Sequence, residues 1–227
     1  MSQSARAEIL AAVRSALAAA GPTEPPQAPT DPPLPHAPAP TSLVELFCER
    51  VRDYRAGVRS ASAGRVAEEV ASIAAGHDAR RLLVPPGFPA RWRPAGVELT
   101  EDDGRLAPRE LEQFDGALTA AGAAVAETGT IVLDHGPGQG RRALTLLPDL
   151  HVCIVPASRI VPDIPDAIAT LHASLRGERR PLTLISGPSA TSDIELRRVE
   201  GVHGPRRLEI VVTDEQPGEH ADPRRRA

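Results

Sequence analysis

Short apolar runs alternate with amphipathic segments through most of this chain, and the alternation restricts what it can fold into. The apolar runs, which have strand character, are residues 82–84, 97–99, 131–133, 151–155, 182–185 and 208–212. Segments with helical periodicity lie among them, at 62–75, 108–114 and 165–175. Continuous apolar strands are typical of parallel sheets that are covered on both faces. The sequence therefore predicts an α/β fold with a largely parallel sheet.

The first 40 residues differ in character from this alternating body. A short helix is predicted at the N-terminus, with one apolar face formed by Ile9, Leu10, Val13 and Leu17. Residues 21–40 contain nine Pro, which predicts an extended, polyproline-like linker. The linker is either a plain spacer or an arm that presents the helix to a partner.

The folded body begins at Thr41. Ser42, followed three residues later by Glu45, is a capping-box signature, and it predicts a helix that Gly57 closes. We therefore expect three parts: a helix and linker over 1–40, a globular domain over 41–213 and a flexible tail over 214–227. The Arg-rich end of that tail indicates solvated chain.

Composition excludes several classes of function. All 26 basic residues are Arg, so Schiff-base lysine chemistry and a Walker A loop are both excluded. The net charge of −4 argues against nucleic acid as a partner. The sequence has no apolar run of membrane-spanning length, no signal-peptide pattern and no paired Cys, which predicts a cytoplasmic protein.

Three loops that follow or flank predicted strands carry the candidate ligand-binding residues, because ligands of such folds sit beyond the carboxyl ends of strands, in the loops that follow them. The first loop contains Glu127, Thr128, Gly129 and Thr130. The second contains Gly136, Gly138, Gln139 and Gly140, followed by Arg141 and Arg142. The third contains Ser186, Gly187, Ser189, Thr191, Asp193 and Glu195.

The second loop combines flexible backbone with positive charge. Its Gly residues would expose N–H groups, and Arg141 and Arg142 would add bidentate donors, which together suit a carboxylate or a phosphate. The spacing misses the dinucleotide fingerprint, so an NAD site is not supported. The alternative is a tight turn with two surface Arg.

In the third loop, Thr191 or Ser192 could cap a helix that begins at Asp193, with its N-terminus facing an anion. An ordinary helix cap with acidic first-turn residues is the alternative. His203 is a candidate acid, base or orienting residue, and Glu127 is a candidate base. His135, His151 and His203 lack metal-site spacing, so no metal is expected, and Cys48 and Cys153 should be buried and inert.

Two long segments contain most of these features: AETGTIVLDHGPGQGRRALTLLPDLHVCIV, residues 126–155, and ISGPSATSDIELRRVEGVHGPRRLEIVV, residues 185–212. Together they resemble the lactate-utilisation protein C family, whose members carry a LUD domain. The resemblance is strong over 126–213 and looser from residue 41. It implies a Rossmann-like three-layer sandwich, similar to the NagB/RpiA/CoA-transferase group. His135 departs from the family, where many relatives have a small residue such as Ser.

The resemblance also implies a role: one component, with iron–sulfur partner proteins, of a system that oxidises L-lactate to pyruvate. This chain has no cluster-binding Cys motif, so the clusters are expected on partner chains and the chain itself would be a non-redox component that binds a small anion. One alternative is a stand-alone enzyme of the isomerase or acyl/CoA-transfer type, with Glu127 as base or nucleophile. Another is a regulatory small-molecule-binding module. Assembly as a homo-oligomer stays open.

Overall fold

The computed structural model describes residues 3–20, 42–172, 180–188, 190–191, 199–200 and 204–214. The chain divides into two units, residues 1–38 and 39–227. In the first, helix α1 spans Gln3–Ala20, as the sequence predicted. Its apolar face is exposed at all four predicted positions, Ile9, Leu10, Val13 and Leu17. Among the described helices, none is both long enough and apolar enough to cross a bilayer.

The second unit alternates strands and helices. Its helices are α2 (Leu43–Asp53), α3 (Val66–Gly76), α4 (Pro108–Leu111) and α5 (Ile164–Thr170). Its strands are β1 (Gly57–Ala61), β2 (Arg81–Val84), β3 (Glu98–Glu101), β4 (Gly116–Ala120), β5 (Ala123–Val125), β6 (Thr130–Leu133), β7 (Leu150–Pro156), β8 (Ile160–Val161), β9 (Thr183–Ile185), β10 (Ala190–Thr191), β11 (Val199–Glu200) and β12 (Arg207–Thr213). Three short 3₁₀ segments span Ala90–Trp92, Arg142–Thr145 and Ala157–Arg159.

The central feature is a six-stranded sheet in the order β1-β12-β7-β4-β2-β3. Every neighbouring pair in it is parallel, which confirms the predicted α/β class with a largely parallel sheet. The edge strand β1 was not predicted, since Arg59 and Ser60 interrupt its apolar pattern. Strand β7 lies inside the sheet and is buried along its whole length.

A second, four-stranded sheet has the order β8-β5-β6-β9. Strands β5 and β6 form an antiparallel hairpin, β6 pairs antiparallel with β9, and β5 pairs parallel with β8. This second sheet was not predicted from the sequence. Strands β10 and β11 form a separate antiparallel pair.

Two large apolar clusters lie on opposite faces of the main sheet. Alternate residues of β7 enter different clusters: Val152 and Ile154 pack with α3, whereas Cys153 and Val155 pack with α2 and the second sheet. This is the period of two expected for a strand that is buried on both sides. The second sheet and α2 therefore cover the face on which Cys153 lies.

The helix ends differ in part from the predictions. Ser42 is the N-cap of α2, but its side chain makes no capping hydrogen bond, so the predicted capping box is not formed. Helix α5 does have a side-chain N-cap, because the Asp163 carboxylate accepts a hydrogen bond from the Asp166 N–H at 2.9 Å. The helix predicted to begin at Asp193 lies outside the described residues, and Thr191 belongs to strand β10.

Candidate functional site

A pocket of about 290 Å³ lies where the 142–145 segment, β9 and the beginning of β12 meet. Its described lining residues are Arg142, Thr145, Leu146, His151, Thr183, Leu184, Ile185, Ser186, Gly187, Pro188, Gly204, Pro205 and Leu208. His151 and Leu208 are each the second residue of their strand. The pocket is therefore near the amino ends of β7 and β12. It also lies at the carboxyl end of β9, where the predicted Ser186 and Gly187 follow the strand.

Arg142 supplies the positive charge of this pocket. It is exposed, and its Nη1 donates a hydrogen bond to Thr183 Oγ1 at 3.2 Å. Of the described lining residues, Arg142 is the one with a permanent charge, and none is acidic. A guanidinium with open donor positions beside hydroxyl groups is a suitable partner for an anion.

His135 fixes the hydroxyl that contacts Arg142. Its backbone is left-handed, with φ of 55°, and its Nδ1 lies 2.7 Å from the Gly140 carbonyl oxygen. A carbonyl only accepts, so Nδ1 carries a proton, and in the neutral ring Nε2 accepts from Thr183 Oγ1 at 2.8 Å. Thr183 then has a lone pair for Arg142. His135 is thus a positioning residue for the guanidinium.

His151 lies at the floor of the pocket and is 1% exposed. Its Nε2 is 2.8 Å from Thr119 Oγ1 on the adjacent strand β4. Burial lowers the pKa of His151 from 6.5 to about 4, so the ring is neutral at pH 7. From the sequence, metal ligation was the one role weighed for His151, and it was not expected. The available signal was a His near the start of an otherwise apolar strand.

A chain of hydroxyl groups ends at the pocket. Thr128 Oγ1 lies 2.7 Å from Thr130 Oγ1, which lies 2.7 Å from Ser186 Oγ. Ser186 lines the pocket, and so does Thr145, whose hydroxyl donates to the Arg142 carbonyl at 3.1 Å. The structure therefore brings the predicted Thr128, Thr130 and Ser186 together.

Two of the predicted glycines pack against helix α2 and the residue that ends it. A Cβ on Gly129 would stand 2.7 Å from backbone atoms of Arg50 and Val51, and a Cβ on Gly187 would stand 2.6 Å from Tyr54 Cβ. Gly129 has a φ of 60° and Gly187 a φ of 82°. Both positions need Gly for reasons of packing and backbone conformation. Gly187 also lines the pocket.

The Gly-rich loop is tied to its own surroundings. The Gly138 N–H donates to the Pro86 carbonyl at 2.8 Å, and the Gly138 carbonyl accepts from the Ala120 N–H at 2.8 Å. Gln139 bonds the backbone N–H and the carboxylate of Asp134. The remaining two predicted glycines of this loop approach other residues closely: Gly136 faces Arg180, and Gly140 faces Pro85. None of Gly136, Gly138, Gln139 and Gly140 lines the pocket.

Arg141 and Glu127 also lie outside the pocket lining. Arg141 forms a bidentate ion pair with Asp102, whose side chain is 1% exposed. Glu127 is exposed, and its backbone N–H donates to the Pro162 carbonyl at 3.1 Å. The roles predicted for these two residues stay predictions, and the positive charge at the pocket comes from Arg142.

The remaining predicted site residues fall outside the described parts of the chain. They are Ser189, Asp193, Glu195 and His203, and for Thr191 only the backbone is described. Over the residues that are described, no three His, Cys, Asp or Glu side chains are grouped as metal ligands.

Comparison with known proteins places the chain in a family. The family model described as "LUD domain" matches residues 68–213. Lactate utilization protein C of Deinococcus radiodurans is 44% identical over 208 residues, which cover 92% of this chain and 95% of the relative. Lactate utilization protein C of Halalkalibacterium halodurans is 31% identical over 185 residues, or 77% of this chain and 80% of the relative.

A solved structure agrees with these relatives. The crystal structure of a DUF162 family protein from Deinococcus radiodurans, at 1.70 Å resolution, has a TM-score of 0.66 and 40% sequence identity. The match covers 75% of this chain and 96% of that one. The chain belongs to the LUD-domain family, and within it to the lactate utilization protein C group.

Proposed function

We propose that this chain is a non-redox component of an L-lactate utilisation system and that its pocket binds a small carboxylate. The names of its relatives support the first part of the proposal. The second part depends on one observation: the exposed Arg142 guanidinium stands beside hydroxyl groups in a pocket whose described lining includes no acidic residue. An anion of the size of lactate or pyruvate suits that arrangement.

The charge of the pocket favours a carboxylate over a phosphate. Arg142 brings one positive charge, and His151 is neutral because burial lowers its pKa to about 4. A singly charged carboxylate balances one guanidinium, whereas a phosphate dianion would need a second cation. The described lining residues include no such second cation.

The volume of the pocket indicates a small ligand. A pocket of about 290 Å³ corresponds to roughly ten water molecules at ~30 Å³ each. A three-carbon acid fits it together with several waters. The lower end of ordinary ligand pockets is about 300 Å³.

Electron transfer is assigned in this proposal to partner chains that carry iron–sulfur clusters. The chain contains two Cys, which are too few for a four-Cys cluster site of its own. Co-purification of the tagged chain with the products of neighbouring genes would test this assignment. A purified complex that contains iron is expected, and the isolated chain as the sole product would count against stable iron–sulfur partners.

Calorimetry on the purified full-length chain tests the binding proposal. L-Lactate and pyruvate should each bind, and Arg142→Gln should weaken both by about tenfold or more, since a charge-assisted pair is lost. Arg109→Gln is the matched control, because Arg109 is exposed on α4 and outside the pocket lining. Equal affinities in wild type and Arg142→Gln would remove the pocket from the proposal.

Growth on L-lactate tests the cellular role. Deletion of the gene should abolish growth in a strain without a second lactate dehydrogenase, and the wild-type gene should restore it. Unimpaired growth of that deletion strain would overturn the role. Binding of the acids without any growth defect would instead favour a regulatory module. No observation on the described residues favours the stand-alone enzyme with Glu127 as its base, because Glu127 does not line the pocket.

A further inference from the structure

We infer that His151 Nδ1 forms a hydrogen bond with a second oxygen of the bound acid. The hydroxyl of Thr119 lets Nδ1 act in this bond either as a donor or as an acceptor. This inference rests on the proposed function, because it takes the ligand to be a carboxylate held by Arg142. The ligand class that follows is a short-chain acid with a hydroxyl or oxo oxygen in addition to the carboxylate.

The first support is the position of His151. The residue lines the pocket although it is only 1% exposed. Its Nε2 is 2.8 Å from Thr119 Oγ1. The hydrogen bonds among the described residues include none that involves its Nδ1. Nδ1 is not among the fully buried side-chain atoms that lack a partner, so it is accessible, and a polar atom at the wall of a pocket normally meets a ligand or a water. A ligand oxygen in the pocket would satisfy Nδ1.

The second support is the chemistry of the Thr119 hydroxyl. It can accept a hydrogen bond from a protonated Nε2, which leaves Nδ1 as an acceptor. It can also donate to an unprotonated Nε2, which leaves Nδ1 as a donor.

This adaptability matters for the ligand because an oxo oxygen only accepts, whereas a hydroxyl both donates and accepts. A ring locked with its proton on Nε2 would reject an oxo acid. A ring whose proton can sit on either nitrogen accepts a hydroxy acid and the corresponding oxo acid at the same position. The ring is neutral at pH 7, so it offers the ligand a directional hydrogen bond and adds no charge to the pocket.

Calorimetry with three acids of equal carbon count tests the inference on the full-length chain. L-Lactate has a hydroxyl, pyruvate has an oxo group, and propionate has neither. Lactate and pyruvate should each bind wild type about tenfold more tightly than propionate, the effect of one buried hydrogen bond. Arg142→Gln should weaken all three acids by a similar factor, because each has a carboxylate.

Variants of His151 and Thr119 separate an effect on ligand recognition from an effect on folding. His151→Leu should bring the affinities for lactate and pyruvate down to that for propionate. Thr119→Val should lower both by a few-fold and leave propionate unchanged, because Thr119 acts only through His151. A merely structural role of Thr119 would weaken all three acids alike. Circular dichroism establishes that each variant is folded, and Thr119→Val, which is isosteric, provides the test if His151→Leu does not fold.

Failure of the inference about His151 can be told apart from failure of the proposal that the pocket binds a carboxylate. Propionate bound by wild type as tightly as lactate and pyruvate would overturn the role of His151 while the carboxylate proposal stands. No binding of any of the three acids would overturn the carboxylate proposal, and the inference with it. Unequal binding that His151→Leu and Thr119→Val leave unchanged would assign the second oxygen to another group and overturn the inference alone.

Discussion

Arg141 and Asp102 form a bidentate ion pair across 39 residues of sequence: Nε lies 2.7 Å from Oδ2 and Nη2 lies 3.0 Å from Oδ1. The same Nη2 donates to the Leu106 carbonyl at 2.6 Å. The Asp102 side chain is 1% exposed, so this carboxylate depends on Arg141 for its charge balance. The neighbouring Arg142 makes no such pair with a described carboxylate. Two consecutive Arg residues therefore have different roles.

Arg141→Met should destabilise the fold, whereas Arg142→Met should not. Removal of Arg141 leaves a buried carboxylate without its partner, which costs about 2–3 kcal/mol when the lost partner was itself partly exposed. Arg142 is a surface residue, and its replacement should change stability by less than about 0.5 kcal/mol. Urea denaturation at pH 7 measures both changes. Similar losses in the two variants would contradict this division of roles.

Gly129→Ala should cost more stability than Gly138→Ala. Both residues have positive φ, so each substitution strains the backbone by about 1 kcal/mol. At Gly138 the nearest atom is 3.4 Å from the new Cβ, which is an ordinary contact. At Gly129 backbone atoms of α2 are only 2.7 Å away, and such overpacking adds about 1–3 kcal/mol.

Urea denaturation of the two Gly variants measures that difference directly, with wild type as the reference. Equal losses would mean that the β5–β6 turn can move away from α2. An intermediate result with a changed denaturant slope would show that α2 itself detaches in Gly129→Ala. A larger loss for Gly138→Ala would show that the Gly-rich loop is the more tightly packed of the two.

Local pattern was enough to predict the strands whose residues are mostly apolar. Strands β6, β7 and β12 are of this kind, although His151 lies in β7 and Glu209 in β12, and the structure places them within a residue or two of the predicted bounds. Strands β4 and β5 were missed because they consist largely of Ala and Gly, which have little strand preference. The second sheet was missed because strand pairing depends on contacts between distant parts of the chain.

The same reason limits what could be predicted of the site. Arg142, Ser186 and Gly187, which line the pocket, were predicted as candidates from the composition of their loops. The pair of Thr119 and His151 forms only because β4 and β7 are parallel neighbours, with Ala117 opposite His151. Likewise, nothing local to Arg141 indicates Asp102 as its partner. The predictions placed the two Arg in one anion clamp, and the described structure brings only Arg142 to the pocket.

Stability should fall as the pH is lowered from about 6.5 to about 4 because of His151. Its pKa is 6.5 in the unfolded chain and about 4 in the folded protein, since burial disfavours the charged ring. Above pH 6.5 the His151 ring is neutral in both the folded and the unfolded state, so its titration does not change the free energy of unfolding. Between the two values the unfolded state binds a proton that the folded state does not, which favours unfolding by about 3 kcal/mol in total.

Urea denaturation of wild type and His151→Asn at several pH values isolates this contribution. Other groups titrate equally in both proteins, so the difference in unfolding free energy is the quantity to compare. Wild type should lose about 3 kcal/mol relative to the variant between pH 7 and pH 4. A difference that stays constant over this range would show that the folded protein admits a charged ring at this position.

The two Cys thiols should be unreactive in the native protein, and Cys153 more so than Cys48. Burial raises the pKa of Cys153 to about 12, and burial also raises the pKa of Cys48. A thiol reagent attacks the thiolate, so both thiols should react only after the chain opens. Cys153 lies on β7 inside the main sheet, and Cys48 lies on α2, the helix that packs on one face of that sheet. Exposure of Cys48 therefore needs only displacement of this helix, whereas exposure of Cys153 needs the sheet to unfold.

Reaction with a chromogenic disulfide reagent at pH 8 should give two equivalents in urea and far less than one in buffer. The variants Cys48→Ala and Cys153→Ala assign the rates, and faster native labelling of Cys153 would contradict its place in the core.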